Sequence, residues 1–150
     1  MSIKVQADPR NVFVMMNIQN SGRNARRGIR QGFYSFGHEL RNGVRRRIKS
    51  GPKTGKLYRV KGRRRRVRAS APGEDPANRS GKLRRSVGFQ VYGSDRLEFG
   101  YRNSVDYGIF LELGTQNMEA RPALKKQVDE SQATARQHFD RELQKALKNK

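Results

Sequence analysis

The densest chemistry in this sequence is a run of arginines near its middle. Six of the eight positions from 61 to 68 are basic, namely Lys61, Arg63, Arg64, Arg65, Arg66 and Arg68. Arginine carries a planar fork of hydrogen-bond donors that matches phosphate and carboxylate oxygens. Clustered basic residues also supply the salt-sensitive, sequence-independent part of affinity for DNA or RNA. We therefore expect this run to contact an anionic partner, either nucleic acid or an acidic protein surface, with a solvated arm as the alternative.

Patterns that would carry catalysis or hold a cofactor are weak. The segment from Gly51 to Leu57 resembles a phosphate-binding loop, but three residues rather than four separate its glycines, and Leu57 stands where Ser or Thr would ligate magnesium. The two histidines, His38 and His138, fit no metal-ligand spacing. The sequence has no cysteine, which excludes thiolate zinc sites and cysteine nucleophiles. We predict a non-enzymatic protein with no catalytic residue, no metal and no cofactor.

The charge balance constrains the partners. The 150 residues include 34 Lys and Arg against 13 Asp and Glu, which gives a formal net charge of +21. From Arg45 to Arg85 there are 17 basic residues against only Glu74 and Asp75, so +15 of that charge lies in the middle of the chain. Self-repulsion of this kind destabilises an isolated compact monomer, and an acidic partner would offset it.

Length and hydropathy bound the domain organisation. A chain of 150 residues has the usual size of one domain, and we treat residues 1–150 as one. No apolar run approaches the roughly 20 residues that cross a bilayer. The first ten residues lack the apolar stretch of a secretory signal. We expect a soluble intracellular product that makes no membrane contact.

Two long helices are predicted from apolar residues that recur every three or four positions. The first runs from about Arg23 to Lys49, with an apolar stripe formed by Ala25, Ile29, Phe33, Phe36, Leu40, Val44 and Ile48. Its opposite face carries Arg26, Arg30, Arg41 and Arg45, and four glycines within it make the helix dependent on packing. The second helix follows Pro122, with Leu124, Val128, Ser131, Ala135, Phe139, Leu143 and Ala146 on one stripe.

Short strands and a long basic loop complete the predicted fold. Residues 12–18 are rich in strand formers, and residues 87–92 and 97–101 alternate with period two around a turn at 93–95, which indicates a hairpin. Residues 107–113 form a short apolar piece before a turn. Residues 51–80 have little periodicity and are expected to form an extended arm, with a brief hairpin from Leu57 to Val60 and Val67. The fold class is α+β, with a small antiparallel sheet packed against two long helices.

Two ordered motif blocks resemble a known family. Tyr107 to Thr115 fits the pattern Y-x-x-[FY]-[LV]-E-x-G-T, and Met118 to Leu124 fits M-x-A-R-P-[AF]-L, with a final helix after it. Upstream, Ser70 to Glu74 and Ser80 to Val87 resemble the earlier part of the same pattern. These features resemble the tail-completion, or head–tail joining, proteins of tailed bacteriophages. The resemblance covers residues 53–128 and includes a consistent place for the N-terminal helix.

The resemblance draws attention to six positions as family-motif or subunit-interface residues: Tyr107, Glu112, Gly114, Thr115, Arg121 and Pro122. We expect Gly114 to turn the chain at positive φ and Thr115 to hydrogen-bond the turn. Arg121, held extended by the following proline, is expected to clamp Glu112 or a neighbouring subunit's carboxylate. Tyr107 and Phe110 are expected to pack between sheet and helix. Each of these residues could also have a purely structural role within a single chain.

The resemblance implies a structural virion protein at the neck, assembled in the host cytoplasm. It implies a homo-oligomeric ring, six-fold in symmetry, between the connector or head-completion proteins and the tail-terminator or tail-tube proteins. Genome DNA would pass through that ring. A free basic nucleic-acid-binding protein remains the second hypothesis, and a metal-dependent nuclease using Asp106 or Glu112 is the third.

Overall fold

The elements of the fold follow the predicted order with three additions. The computed structural model describes residues 3–7, 11–16, 22–59, 62, 64, 66–102 and 105–148. Its elements in chain order are β1 (Ile3–Ala7), β2 (Asn11–Met16), α1 (Arg23–Ser50), β3 (Leu57–Arg59), β4 (Arg66–Arg68), α2 (Lys82–Ser86), β5 (Val87–Tyr92), β6 (Arg96–Tyr101), α3 (Tyr107–Leu113) and α4 (Ala123–Lys148). The predicted α+β class, with a small antiparallel sheet and two long helices, is confirmed. Strand β1 and helices α2 and α3 were not predicted.

The main sheet is antiparallel and has the strand order β1-β2-β6-β5. The predicted hairpin of β5 and β6 is confirmed, and its register sets Phe89 opposite Phe99. Strand β2 joins the other side of β6, with Val14 opposite Leu97. Val14, Leu97 and Phe99 are fully buried, because the face that they share lies against the helical layer. Strand β2 ends at Met16, and the remainder of the predicted strand, at 17–18, lies outside the described residues.

Helix α1 is the centre of the core. It packs against β5 and β6 on one side and against α4 on the other. Six of the seven predicted stripe positions are buried, from Ile29 to Ile48, and Ala25 is half-buried. Phe33 meets Phe139 of α4 edge-on, with ring centroids 4.9 Å apart. The apolar stripes of the two helices therefore face each other across one core.

Two glycines of α1 let α4 approach closely. A Cβ built on Gly28 would lie 2.9 Å from the Cα of Leu143, and one on Gly32 would lie 3.1 Å from the Cα of Phe139. Contacts this short involve backbone atoms that cannot rotate away. The glycines weaken the helix by propensity, but they permit the close packing that forms the α1–α4 contact. The packing on which these glycines make the helix depend is therefore packing against a helix of the same chain.

The region expected to be an arm, at about 51–80, is only partly extended. Strands β3 and β4 form a two-stranded antiparallel ladder that pairs Tyr58 with Val67. After this ladder the chain returns to the body, where Ser70 and Asp75 are buried and Pro76 is fully buried. Asp75 receives a hydrogen bond from Arg47 of α1 at 3.3 Å and lies 3.9 Å from the ammonium of Lys126. Residues 69–79 thus belong to the packed body, and the arm is confined to the ladder and its tip.

Candidate assembly surface and basic arm

The first motif block forms helix α3 and the turn that ends it. Gly114 follows the helix at φ +78°, as predicted, and its N–H donates to Phe110 O at 2.9 Å. The backbone of Thr115 pairs with that of Met118 at 2.7 and 3.2 Å, and its hydroxyl accepts from Asn117 N at 3.3 Å. A Cβ at position 114 would lie 2.8 Å from Met118 O, so both conformation and space require glycine. The predicted turn roles of Gly114 and Thr115 are confirmed.

Glu112 caps the second long helix from outside it. Its Oε1 accepts a hydrogen bond from Leu124 N, in the first turn of α4, at 2.8 Å and another from the Tyr101 hydroxyl at 3.0 Å. A carboxylate at this place satisfies a free N–H and complements the helix dipole. Burial nevertheless raises the pKa of Glu112 above its usual value, although the Leu124 and Tyr101 bonds oppose the rise. Burial and the neighbouring Glu112 also raise the pKa of Tyr101 well above normal.

Arg121 does not clamp Glu112, so that expectation is wrong within the chain. Its Nε donates to Ala71 O at 3.2 Å, and its backbone N–H donates to Leu111 O at 2.6 Å. Glu112 is already satisfied by Tyr101 and the start of α4, as Pro122 leads directly into that helix. The Arg121 side chain binds instead the carbonyl of Ala71, in a loop that is distant in sequence, and nothing in the sequence near Arg121 indicates that loop.

The upstream motif block meets the downstream one at this point. Gly73 N donates to Ala120 O at 3.2 Å, and the ammonium of Lys126 donates to Gly73 O at 2.6 Å. Glu74 closes the same turn by accepting from Thr54 Oγ1 at 2.7 Å, Thr54 N at 2.9 Å and Ala71 N at 2.7 Å. The Thr54 hydroxyl, followed by the backbone N–H groups, lowers the pKa of Glu74 to about 2. The two motif blocks, which are about 50 residues apart in sequence, are therefore joined by hydrogen bonds in the fold.

The motif blocks line a cleft of about 790 Å³ between the base of the arm, residues 69–83 and α3. We call it the motif cleft, and its wall includes Tyr58, Asn78, Leu83, Tyr107, Leu111 and Arg121. Tyr107 and Phe110 were expected to pack between sheet and helix, and this is wrong. Tyr107, Phe110 and Leu113 are 44%, 53% and 59% exposed. Spaced every three residues, these three side chains form an exposed α3 apolar face beside the cleft.

The basic arm is held at its root, and the arginines that the structure describes in it are exposed. Arg59 lies opposite Arg66 in the β3–β4 ladder, a like-charge pair that is unfavourable without an anion. Arg64, Arg66 and Arg68 are exposed, and Arg68 donates to Gly55 O at 3.3 Å. None of these arginines forms an ion pair with a carboxylate in the described part of the chain. The other members of the predicted run, Lys61, Arg63 and Arg65, lie outside the described residues.

His138 belongs to a polar network between α1 and α4. Its Nδ1 lies 2.7 Å from Ser35 Oγ, and its Nε2 contacts Glu39. Burial would raise the pKa of Glu39, but bonds from Thr134 and His138 lower it overall. The order serine, histidine, carboxylate resembles a hydrolytic triad. However, Arg141 donates a hydrogen bond to the Ser35 hydroxyl oxygen at 3.0 Å. The backbone N–H groups around Ser35 lie in the middle of a helix and donate within it, so they are not free to stabilise an oxyanion. The network joins the helices.

Comparisons add no relative from which a role could be transferred. No family model, curated protein or solved structure matches the chain. Within the described ranges, no group of three or more His, Asp or Glu side chains is placed to hold a metal ion. Among the same residues, no helix is both long and apolar enough to cross a membrane.

Proposed function

We propose that this protein is a structural subunit of a tailed-phage particle, which assembles with copies of itself into a ring at the head–tail joint. The ring would complete the tail, join it to the connector and leave a passage for DNA. The observation that carries the proposal is the α3 apolar face, formed by the motif block whose sequence resembles the phage family. The protein supplies binding surfaces in this role and no covalent chemistry.

The α3 apolar face supports assembly through a protein partner. Three large side chains, Tyr107, Phe110 and Leu113, stand exposed on a helix of seven residues. Contiguous exposed apolar surface next to a cleft is typical of protein interfaces. The polar residues around it are already satisfied inside the chain: Glu112 caps α4, and Arg121 binds Ala71 O. A partner at this face would therefore gain apolar burial without separating an internal ion pair.

Self-association of the purified protein is the first test. Multi-angle light scattering and native mass spectrometry should give a closed oligomer, with six copies as the expected number. Phe110→Ser should shift the distribution to smaller species, because it removes the centre of the α3 apolar face. Leu147→Ser is the matched control, since Leu147 is equally exposed, at 52%, near the end of α4.

The outcomes separate the two leading functions. A monomer at all concentrations, with Phe110→Ser indistinguishable from the parent, would contradict assembly through α3. A monomer that binds nucleic acid would favour the free nucleic-acid-binding protein, which the exposed arginines in the described part of the arm, Arg64, Arg66 and Arg68, support. Cryo-electron microscopy of the particle that carries this chain tests the location, and a density for the chain anywhere but the neck would overturn the proposal.

A further inference from the structure

One side of α1 carries a row of basic and aromatic side chains that lies outside the motif blocks, and three of its arginines, Arg30, Arg41 and Arg45, were predicted opposite the apolar stripe. Gly28, Ser35 and Glu39 contact α4, and they define the packed side of the helix. The other side presents side chains spaced by four, three, four, four, three and four residues. We call this row the α1 arginine face: Arg23, Arg27, Arg30, Tyr34, His38, Arg41 and Arg45.

The α1 arginine face has little counter-charge among the described residues. Glu142 of α4 lines a groove with Arg27 and Arg30, but its carboxylate pairs with Arg141 and Lys145. Glu39 is the only carboxylate in the sequence of α1, and it is used by Thr134 and His138 of α4. None of the five arginines of the face forms an ion pair with a carboxylate among the residues that the structure describes. At the C-terminal end the cations repel one another. Burial and then the charges of Arg41 and Arg84 lower the pKa of Arg45.

Several of these side chains are held in place before any ligand arrives. The Arg45 guanidinium donates to Arg84 O at 3.2 Å and to Val87 O at 3.0 Å. Arg41 lies over the Phe89 ring at 5.7 Å, and its Nη2 lies 3.0 Å from His38 Nδ1. Restricting long side chains in the free protein reduces the entropy that binding must remove. The Nε of Arg41 is buried and has no hydrogen-bond partner among the described residues.

The spacing of the arginines fits a duplex. At 1.5 Å per residue the row is roughly 33 Å long, close to one turn of B-DNA at about 34–36 Å. Its arginines form two groups, at 23–30 and 41–45, separated by about 16 Å along the helix. A major groove about 12 Å wide has one phosphate backbone on each side. We propose that the α1 arginine face binds double-stranded DNA through these two backbones, without reading the sequence.

Tyr34 and His38 occupy the interval between the two arginine groups, and they lie over the groove in this arrangement. Tyr34 is 37% exposed, and the Arg30 guanidinium lies 5.9 Å from its ring centre. A flexible acidic peptide would need no such division into two groups, since it can follow a single continuous row. The inference does not depend on ring assembly, because the α3 apolar face takes no part in it.

The test is fluorescence anisotropy of a labelled 24-base-pair duplex, titrated with the full-length protein over a salt series. The variant carries Arg23→Gln, Arg27→Gln and Arg30→Gln. Because each lost phosphate contact reduces the salt slope by about 0.9, the slope of log affinity against log salt should fall by roughly 2.7. Affinity at 0.1 M salt should fall about tenfold or more. Light scattering on the same samples should show that the variant has the same oligomeric state as the parent.

A matched control removes the same charge from the exposed side of α4, through Lys125→Gln, Arg136→Gln and Lys148→Gln. It should keep most of the parent's salt slope. An equal loss in both variants would mean general charge attraction and would overturn the proposal. Unchanged binding by the α1 variant, or loss only in Arg64→Gln, Arg66→Gln and Arg68→Gln, would assign the contact to the arm instead. Tighter binding to polyglutamate than to DNA would identify an acidic protein as the partner.

Discussion

The motif cleft and the α1 arginine face satisfy their polar groups in opposite ways. Around the cleft, Glu74, Glu112 and Arg121 are hydrogen-bonded within the chain, and apolar side chains remain exposed. The apolar side chains of α1 are buried, and the five arginines of the α1 arginine face form no ion pair with a carboxylate among the described residues. The first surface gains most from covering by protein, and the second gains most from a polyanion.

The largest effect on the free energy of unfolding is expected from the loss of the Glu112 carboxylate. Glu112→Ala leaves the Tyr101 hydroxyl and Leu124 N without their acceptor and removes the cap of α4. The free energy of unfolding should fall by about 2 kcal/mol, since a lost cap and a buried unsatisfied donor each cost about 1 kcal/mol or more. Urea denaturation followed by circular dichroism measures this. A loss below about 0.5 kcal/mol would mean that Glu112 does not organise the α3–α4 junction.

The protonation of Glu112 should also be visible in stability. Its folded pKa is raised, so the fold binds the proton more tightly than the unfolded chain does. Its contribution is complete below the unfolded pKa of about 4.5 and is lost as pH rises through the folded value. Glu112→Gln keeps an oxygen acceptor and cannot ionise. This variant should be at least as stable as the parent at pH 8. In urea denaturation, its free energy of unfolding should decline less than that of the parent between pH 4.5 and pH 8.

Glu74, a half-buried carboxylate near the cleft, should behave in the opposite sense. The pKa of Glu74 is lowered to about 2, so its contribution is complete above pH 4.5 and is lost as pH falls toward 2. Thr54→Val removes the hydroxyl that lowers this pKa most and keeps the side-chain shape. An NMR titration of the Glu74 carboxyl should show a higher pKa in that variant. The same pKa in parent and variant would contradict the assigned cause.

The smallest effect on stability is expected at the α1 arginine face. Arg27→Gln and Arg30→Gln remove exposed cations that have no carboxylate partner in the described residues. Glutamine has a helix propensity close to that of arginine, and repulsion along the helix decreases. The free energy of unfolding should stay within about 0.5 kcal/mol of the parent. A larger loss in denaturation would show that these arginines serve the fold.

The parts of the fold that follow from local periodicity could be predicted. The helices α1 and α4 and the β5–β6 hairpin have apolar residues at regular spacing, because each buries one face in the core. Helix α3 could not be predicted in this way, since its seven residues are nearly all apolar and have no period. Strand β1, by contrast, alternates apolar and polar residues with period two, so its pattern was present in the sequence and was missed.

In the candidate site, the turn could be predicted from the sequence, but the side-chain contacts could be predicted only in part. Gly114 and Thr115 act within a few residues of their own positions, so local sequence indicated them. The partner of Arg121 is a carbonyl 50 residues away, and Glu112 caps a helix that starts 11 residues later. Such contacts depend on the packing of 69–79 against α4. The exposure of Tyr107 and Phe110 has the same origin, because residues from other segments fill the space that they were expected to occupy.

The bond from Glu112 to Leu124 N also has a mechanical consequence. Glu112 is part of α3, whose outer side is the α3 apolar face, and its carboxylate holds the first turn of a 26-residue helix. A load applied to Tyr107, Phe110 and Leu113 therefore reaches the start of α4 through the Glu112 carboxylate and through the backbone bond from Arg121 N to Leu111 O, and continues along that helix to its contact with α1. At 1.5 Å per residue that helix is a lever about 39 Å long, anchored at its start on the small outer helix.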